Sequence, residues 1–204
     1  MSKKIIYSKG DLPSGVRFGK AVGIDTETDG LSLEKCRLCL VQMTDGGGTV
    51  HIVKVDPPYR CPNLKKVLLN PRLLKIFHFA RFDVAMIRKY LGVRMENIFC
   101  TKIASRIARP ALQKHSLKNL VEEFFKVRLN KDEQTSDWTA AELTKKQIEY
   151  AANDVVYLHR IKDMLERRLK EERKLRLAKE CFGFLPARAE LDIDGWQDVD
   201  IFAH

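Results

Sequence analysis

Two acids one residue apart, Asp25 and Glu27 in "VGIDTETDG", follow an apolar run that reads as a strand. In a strand, side chains at i and i+2 point to the same face. Two carboxylates side by side repel, and the arrangement is costly unless something positive lies between them. The pair alone fits either solvated residues at a fraying strand end or a cation site. Two further acids bear on the choice. Asp83 lies in "HFARFDV", near the start of a predicted helix. Asp154 lies in "YAANDVVYL", inside a well-patterned helix, with Tyr150 one turn earlier on the same face. Asp154 borders a packed stripe, and a partly buried carboxylate needs a partner. Its helical neighbours Tyr150, Ala151, Tyr157 and Leu158 offer no cation, so the partner comes from elsewhere in the fold or is an ion. Four acids meeting in one cleft would make an all-oxygen site suited to Mg²⁺ or Mn²⁺. Two such ions roughly 3.5–4 Å apart can activate a water and stabilise the leaving oxygen of a phosphodiester.

The elements that would position these acids can be read along the chain. "KAVGIDTE", "CRLCLVQM" and "TVHIVKV" read as three strands, with "DGGG" as the turn between the last two. "NLKKVLLN" reads as a short helix, "LLKIFHF" as a buried strand, "ARFDVAMIRKYLG" as a helix ending at Gly92, and "MENIFCT" as another strand. Strands alternating with helices predict an α/β chain, a mixed central β-sheet flanked by helices. Beyond Cys100 the pattern is helical, including "SLKNLVEEFF". Thr144 followed three residues later by Gln147 predicts a capping box. From there a stripe of Ile148, Ala151, Val155, Leu158, Leu165 and Leu169, with Lys162 as the polar exception, predicts one long helix to about Lys179.

The chain has 204 residues, enough for one domain with a sizeable core or one domain and an extension. No apolar run approaches the ~18 residues of a membrane span, and the basic N-terminus lacks the long apolar segment of a signal peptide. A cytoplasmic protein is expected. Five scattered cysteines, with "CRLC" as the only close pair, read as buried or incidental and not as a disulfide or zinc framework. The net charge of +10 is uneven: from Cys181 onward five acids face one base, so the rest of the chain carries +14. A basic body favours a polyanionic partner. No GxGxxG or GxxxxGK pattern is present to hold phosphates by a glycine-rich loop.

"DTE", "HFARFD" and "YAAND" resemble the three exonuclease motifs of the DEDD superfamily. Tyr150 four residues before Asp154 is similar to the tyrosine branch; the histidine branch would have a base where Glu149 stands. His159, five residues after Asp154, reads as a packed or surface histidine. "TSDW" (Thr135 to Trp138) and "LTKKQIEYAANDVVYL" resemble the ribonuclease D group. "GDLP", "IFHFARFD", "FCTKIAS" and "FLPARAELDIDGW" extend the likeness nearly end to end to the compact NrnC type of oligoribonuclease.

The resemblance implies a ribonuclease H-like exonuclease fold with a long C-terminal helix and a short docking tail. It implies an exonuclease domain over residues 1–180 and an acidic, aromatic extension over 181–204. Asp25, Glu27, Asp83 and Asp154 match the acids that bind two divalent cations, Mg²⁺ or Mn²⁺, and Tyr150 matches the residue that orients or deprotonates the attacking water. The implied reaction is metal-dependent 3′–5′ hydrolysis of short oligoribonucleotides, especially dinucleotides, to nucleoside 5′-monophosphates. A general 3′–5′ exonuclease acting on DNA as well as RNA is the alternative. Ribonuclease D enzymes carry additional C-terminal helical domains, and a chain without them is expected to lack a grip on structured RNA. A ring-like homo-octamer is implied as well. Of the neighbouring residues, Leu31 either wedges a terminal base or packs under the next turn. His78 and Arg81 flank the second motif; Arg81 is a candidate phosphate contact and His78 faces the core or the substrate. His115 and Lys118 either reach substrate phosphate or are solvated in a loop. The aromatic tail residues Phe182, Phe184, Trp196 and Phe202 suggest docking on the same subunit or on a neighbour.

Overall fold

The computed structural model describes residues 3–129, 133 and 136–204. Thr135 of the "TSDW" motif lies outside the described residues. Among the described residues six strands form one mixed sheet: β1 (Lys4–Lys9), β2 (Ala21–Thr28), β3 (Leu38–Thr44), β4 (Thr49–Lys54), β5 (Leu74–Phe77) and β6 (Ile98–Cys100). Their spatial order is β1-β4-β3-β2-β5-β6. The β2–β3 and β3–β4 pairs are antiparallel, as the three-strand reading predicts. β2 pairs in parallel with β5, and β5 with β6. β2 is therefore an interior strand, with Val22 and Ile24 fully buried, and it ends in the acids.

Among the described residues seven helices surround the sheet: α1 (Pro62–Leu69), α2 (Ala80–Leu91), α3 (Thr101–Ala108), α4 (Leu117–Phe125), α5 (Lys145–Val156), α6 (Leu158–Glu171) and α7 (Leu175–Ile193). α5 and α6 cover the face of β2 that carries Gly23, Asp25 and Glu27. A Cβ on Gly23 would stand 3.3 Å from the Leu158 Cβ, so α6 approaches the strand closely at a residue with no side chain. α7 packs along α2 and against β6, where Phe182 meets the Phe99 ring at 4.7 Å. No helix among the described residues is long and apolar enough to cross a membrane.

Three features depart from the sequence reading. β1 is a parallel edge strand on β4, where only a short apolar stretch was legible. The helix expected from Thr144 to about Lys179 is three helices. It breaks at Tyr157, whose ring stacks on Phe125 of α4 at 5.4 Å, and again at Arg173, which adopts φ 54°. Neither break carries glycine or proline; a tertiary ring contact accompanies the first and a left-handed residue the second. Ile161, not Lys162, takes the buried position on α6, while Lys162 pairs with Glu166 one turn on. α7 then runs through residue 181, so the acidic, aromatic segment begins inside a helix. Cys36 and Cys39 are both buried and free, and burial pushes the Cys39 thiol up to about 11.

Thr144 caps α5 as predicted. Its hydroxyl accepts from the Gln147 amide, and the Gln147 side chain accepts from the Thr144 amide at 2.9 Å. Gln147 also donates to the Asp137 carbonyl at 3.0 Å, tying the start of α5 to the preceding loop. Thr144→Ala is expected to lower the unfolding free energy by about 1 kcal/mol in a urea titration. An unchanged midpoint and slope would contradict that assignment.

Candidate active site

The alternation of β2 places Asp25 and Glu27 on one face, and α5 delivers Asp154 opposite them. One carboxylate oxygen from each of the three lies within 4.8 Å of the others. They line a cavity of about 540 Å³ together with Asp83, Tyr150, Leu31, Phe79, Phe82 and Trp138. Asp83 reaches this cavity from the first turn of α2. It is 4% exposed, and its carboxylate accepts from the Thr26 hydroxyl at 2.6 Å. Asp83 thus shares the cavity but stands outside the close three-carboxylate set.

Asp25, Glu27 and Asp83 resist ionisation. Burial, then Asp83, Asp154 and Glu27, push the Asp25 carboxyl well above the usual range. Burial, then Asp154 and Asp83, do the same to Glu27, offset by the Gln42 amide at 3.4 Å. Burial raises Asp83 to about 7 despite the Thr26 bond. Burial and the surrounding carboxylates also drive the Tyr150 phenol up, and its hydroxyl bonds to Asp154. Tyr150 therefore keeps its proton near neutral pH and is a hydrogen-bond donor. Crowded carboxylates with all-oxygen donors are what a hard divalent cation requires, and the residues fit one.

A second cavity of about 230 Å³ adjoins the first and shares Asp25, Phe79, Tyr150 and Asp154 with it. His78, Lys102 and Lys118 line this smaller compartment. Lys102 Nζ sits 4.0 Å over the Phe79 ring. The His78 imidazole is held neutral, its pKa lowered to about 3 by burial and by Lys102, and its Nδ1 meets the Thr101 hydroxyl at 2.9 Å. A third cavity of about 650 Å³ lies between β6, α6 and α7, away from the acids, and includes the Lys162–Glu166 pair.

The candidate residues thus divide. Leu31 is 88% exposed on the rim of the larger cavity, so it does not pack under the next turn. His78 and Lys118 face the smaller cavity. Arg81 and His115 line neither. Arg81 forks onto Asp192 of α7, and the two His115 ring nitrogens are engaged, Nε2 donating to the Leu112 carbonyl and Nδ1 accepting from Ser105, each at 2.8 Å. His159 is packed against Gly46 and Gly23, as expected of a packed histidine.

Sequence reasoning missed the residues that shape the walls. Phe79 and Phe82 stand inside the quoted "HFARFD", and their aromatic type was the available signal. Lys54 had none. It is a buried lysine at the end of β4 whose Nζ donates to the carbonyls of Trp138, Thr139 and Ala140 at 3.3, 3.5 and 2.8 Å. It thereby fixes the loop that carries Trp138, 1% exposed, with its ring 6.1 Å from that of Tyr150.

Comparison with known proteins agrees with this geometry. A family model described as 3′–5′ exonuclease matches residues 10–170. The chain belongs to that family. Ribonuclease D of Xanthomonas oryzae pv. oryzae is 33% identical over 183 residues, covering 88% of this chain and 49% of its own length. The chain spans about half the length of the curated ribonuclease D relatives it matches. Among solved structures, Brucella melitensis NrnC bound to pGG is 44% identical, with a TM-score of 0.94 over 100% of both chains. The same protein with bound Mg²⁺ is 43% identical, with a TM-score of 0.93 over 98% of this chain and 99% of that one.

The raised carboxyl values set a pH dependence. Unfolded carboxyls titrate near 4. Above that value the folded chain holds more protons than the unfolded chain, so these groups cost stability as pH rises through the folded values. Asp25→Asn is expected to raise the melting temperature of the metal-free protein at about pH 8, and by less at about pH 5. Melting curves in chelator check this; an identical pH slope in variant and wild type would contradict it.

Proposed function

We propose that this chain is a metal-dependent 3′–5′ exoribonuclease acting on short oligoribonucleotides, dinucleotides above all, and releasing nucleoside 5′-monophosphates. The observation that carries the reading is the three-carboxylate set of Asp25, Glu27 and Asp154 beside Tyr150 in one cavity. The pGG and Mg²⁺ named with the Brucella protein support substrate and metal class. The two adjoining compartments suit two nucleotides, one on either side of the shared Asp25, Tyr150 and Asp154.

Asp25, Glu27 and Asp154, with Asp83, would hold two divalent cations, Mg²⁺ or Mn²⁺. When bound, such ions supply charge stabilisation to the phosphate and lower the pKa of the attacking water. The water oxygen attacks phosphorus, the bond to the 3′ oxygen breaks, and that oxygen leaves with a proton. Tyr150, protonated, orients the water and is not its base. Leu31 abuts a base at the rim. Lys118 and Lys102 face phosphate in the smaller compartment, with the neutral His78 beside them. The acidic, aromatic segment 181–204 is an extension to a 1–180 exonuclease domain, and its exposed Trp196 and Phe202 suit contact with a second copy in a homo-oligomer, an octamer by resemblance. A cytoplasmic location follows from the substrate class.

The +14 body favours a second reading, a general exonuclease on longer RNA or DNA, because a dinucleotide offers few phosphates to steer. Hydrolysis of 5′-labelled RNA from two to about twenty nucleotides, with matched DNA, separates the two. A sharp maximum at two nucleotides is expected; a flat or rising profile on both polymers would favour the general enzyme. Asp154→Ala is expected to fall to background, and near-wild-type rates would contradict the site. Tyr150→Phe should lose about a hundredfold in kcat, the cost of a misplaced water, while still binding Mn²⁺; loss of Mn²⁺ binding would contradict its role.

A further inference from the structure

The contact that Arg81 makes in place of phosphate leads back to the site. The start of α2 presents Phe79, Phe82 and Asp83 to the larger cavity. Arg81 lies between them and points the other way. Its Nε and Nη2 donate to the two Asp192 oxygens at 2.6 and 2.7 Å, and Nη2 also donates to the Gln197 carbonyl. Asp192 is 0% exposed. Arg188, one turn earlier on α7, donates to the same carboxylate at 2.9 and 2.6 Å and to the Val199 carbonyl at 3.1 Å. One buried carboxylate therefore joins the first turn of α2 to α7 and to the turn that follows it.

No side chain caps α2: Phe79 occupies the N-cap position and makes no side-chain bond there. The start of the helix is held from behind by Arg81 and not from within. A bidentate guanidinium–carboxylate pair fixes orientation as well as distance, which a lysine cannot reproduce.

We propose that the Arg81–Asp192–Arg188 cluster is a positioning device for the active site. It fixes the first turn of α2, and with it Asp83, Phe79 and Phe82, so that residues 192–199 govern turnover without touching substrate. The inference rests on the reading of the site as a phosphodiester-hydrolysing centre. A misplacement of about 1 Å in such a site costs roughly a hundredfold.

The test compares Arg81→Ala, Arg81→Lys, Asp192→Asn and the double variant R81A/D192N with wild type, using a dinucleotide, Mn²⁺ titration by electron paramagnetic resonance, and circular dichroism. Arg176→Ala, an exposed pairing on the same helix, is the control and should match wild type. Arg81→Ala is expected to lower kcat at least tenfold, with KM within about twofold, and to weaken Mn²⁺ binding severalfold. Arg81→Lys should not rescue it, and the double variant should be no worse than Arg81→Ala, because the two residues act as one unit. If Asp192→Asn fails to fold, Arg81→Ala and Arg81→Lys decide alone. A folded Arg81→Ala with wild-type kcat and Mn²⁺ affinity would overturn the proposal. So would a raised KM with unchanged kcat, rescued by lysine, since that is the mark of a phosphate contact. A wild-type protein inactive on every substrate would instead overturn the nuclease reading.

Discussion

Repulsion among carboxylates at the end of β2 is the constraint around which this molecule is arranged. Asp25 and Glu27 share a face because a strand alternates, and Asp154 meets them because α5 crosses that face. Burial and neighbouring carboxylates oppose ionisation at Asp25 and Glu27, and burial does so at Asp83. Such a cluster lowers stability unless a cation neutralises it. Donors nearby include the Thr26 hydroxyl on Asp83, the Gln42 amide on Glu27 and the Tyr150 hydroxyl on Asp154. The Lys3 ammonium lies near Asp154, but it bonds outward to the Glu149 carbonyl and the Asn153 side chain. The core tolerates the cost because β2 is braced on both edges, by β3 and by β5.

The walls of the cavity are held by charges of the opposite kind, one buried and one half-buried. Lys54 gives its protons to three carbonyls of the loop at 138–140, and that loop supports Tyr150 through the Trp138 ring. Arg81 reaches Asp192 across the α2–α7 interface. Lys54 and Asp192 are the buried members of these contacts and each is met by several partners, so the contacts specify one arrangement even where their net contribution to stability is small. Stability and chemistry are linked here: the same groups that fix the loop and the helix start also set where reacting groups can lie.

What was legible in the sequence is what local rules govern. The period of two in "VGIDTE" placed both acids on one face. The Thr144–Gln147 spacing gave the start of α5, and Tyr150 to Asp154 gave one helical turn. The turn glycines marked the β3–β4 hairpin. The remainder depends on partners distant in the chain. β1 exists because β4 offers an edge, and its own six residues show too little apolar pattern to announce it. The breaks at Tyr157 and Arg173 carry no glycine or proline. Arg81 looked like a phosphate ligand because Asp192, 111 residues away, could not be seen opposite it. Asp83 reads as the equal of the other acids in sequence, yet it bonds to the Thr26 hydroxyl and stands outside the close set.

The most direct check is the anomalous scattering of manganese in crystals grown with Mn²⁺. A cation-centred site predicts a peak bonded to one oxygen each of Asp25, Glu27 and Asp154. A cluster that stays empty at saturating Mn²⁺, with its charge cancelled by protons or by a swung-in Lys3 ammonium, would contradict it.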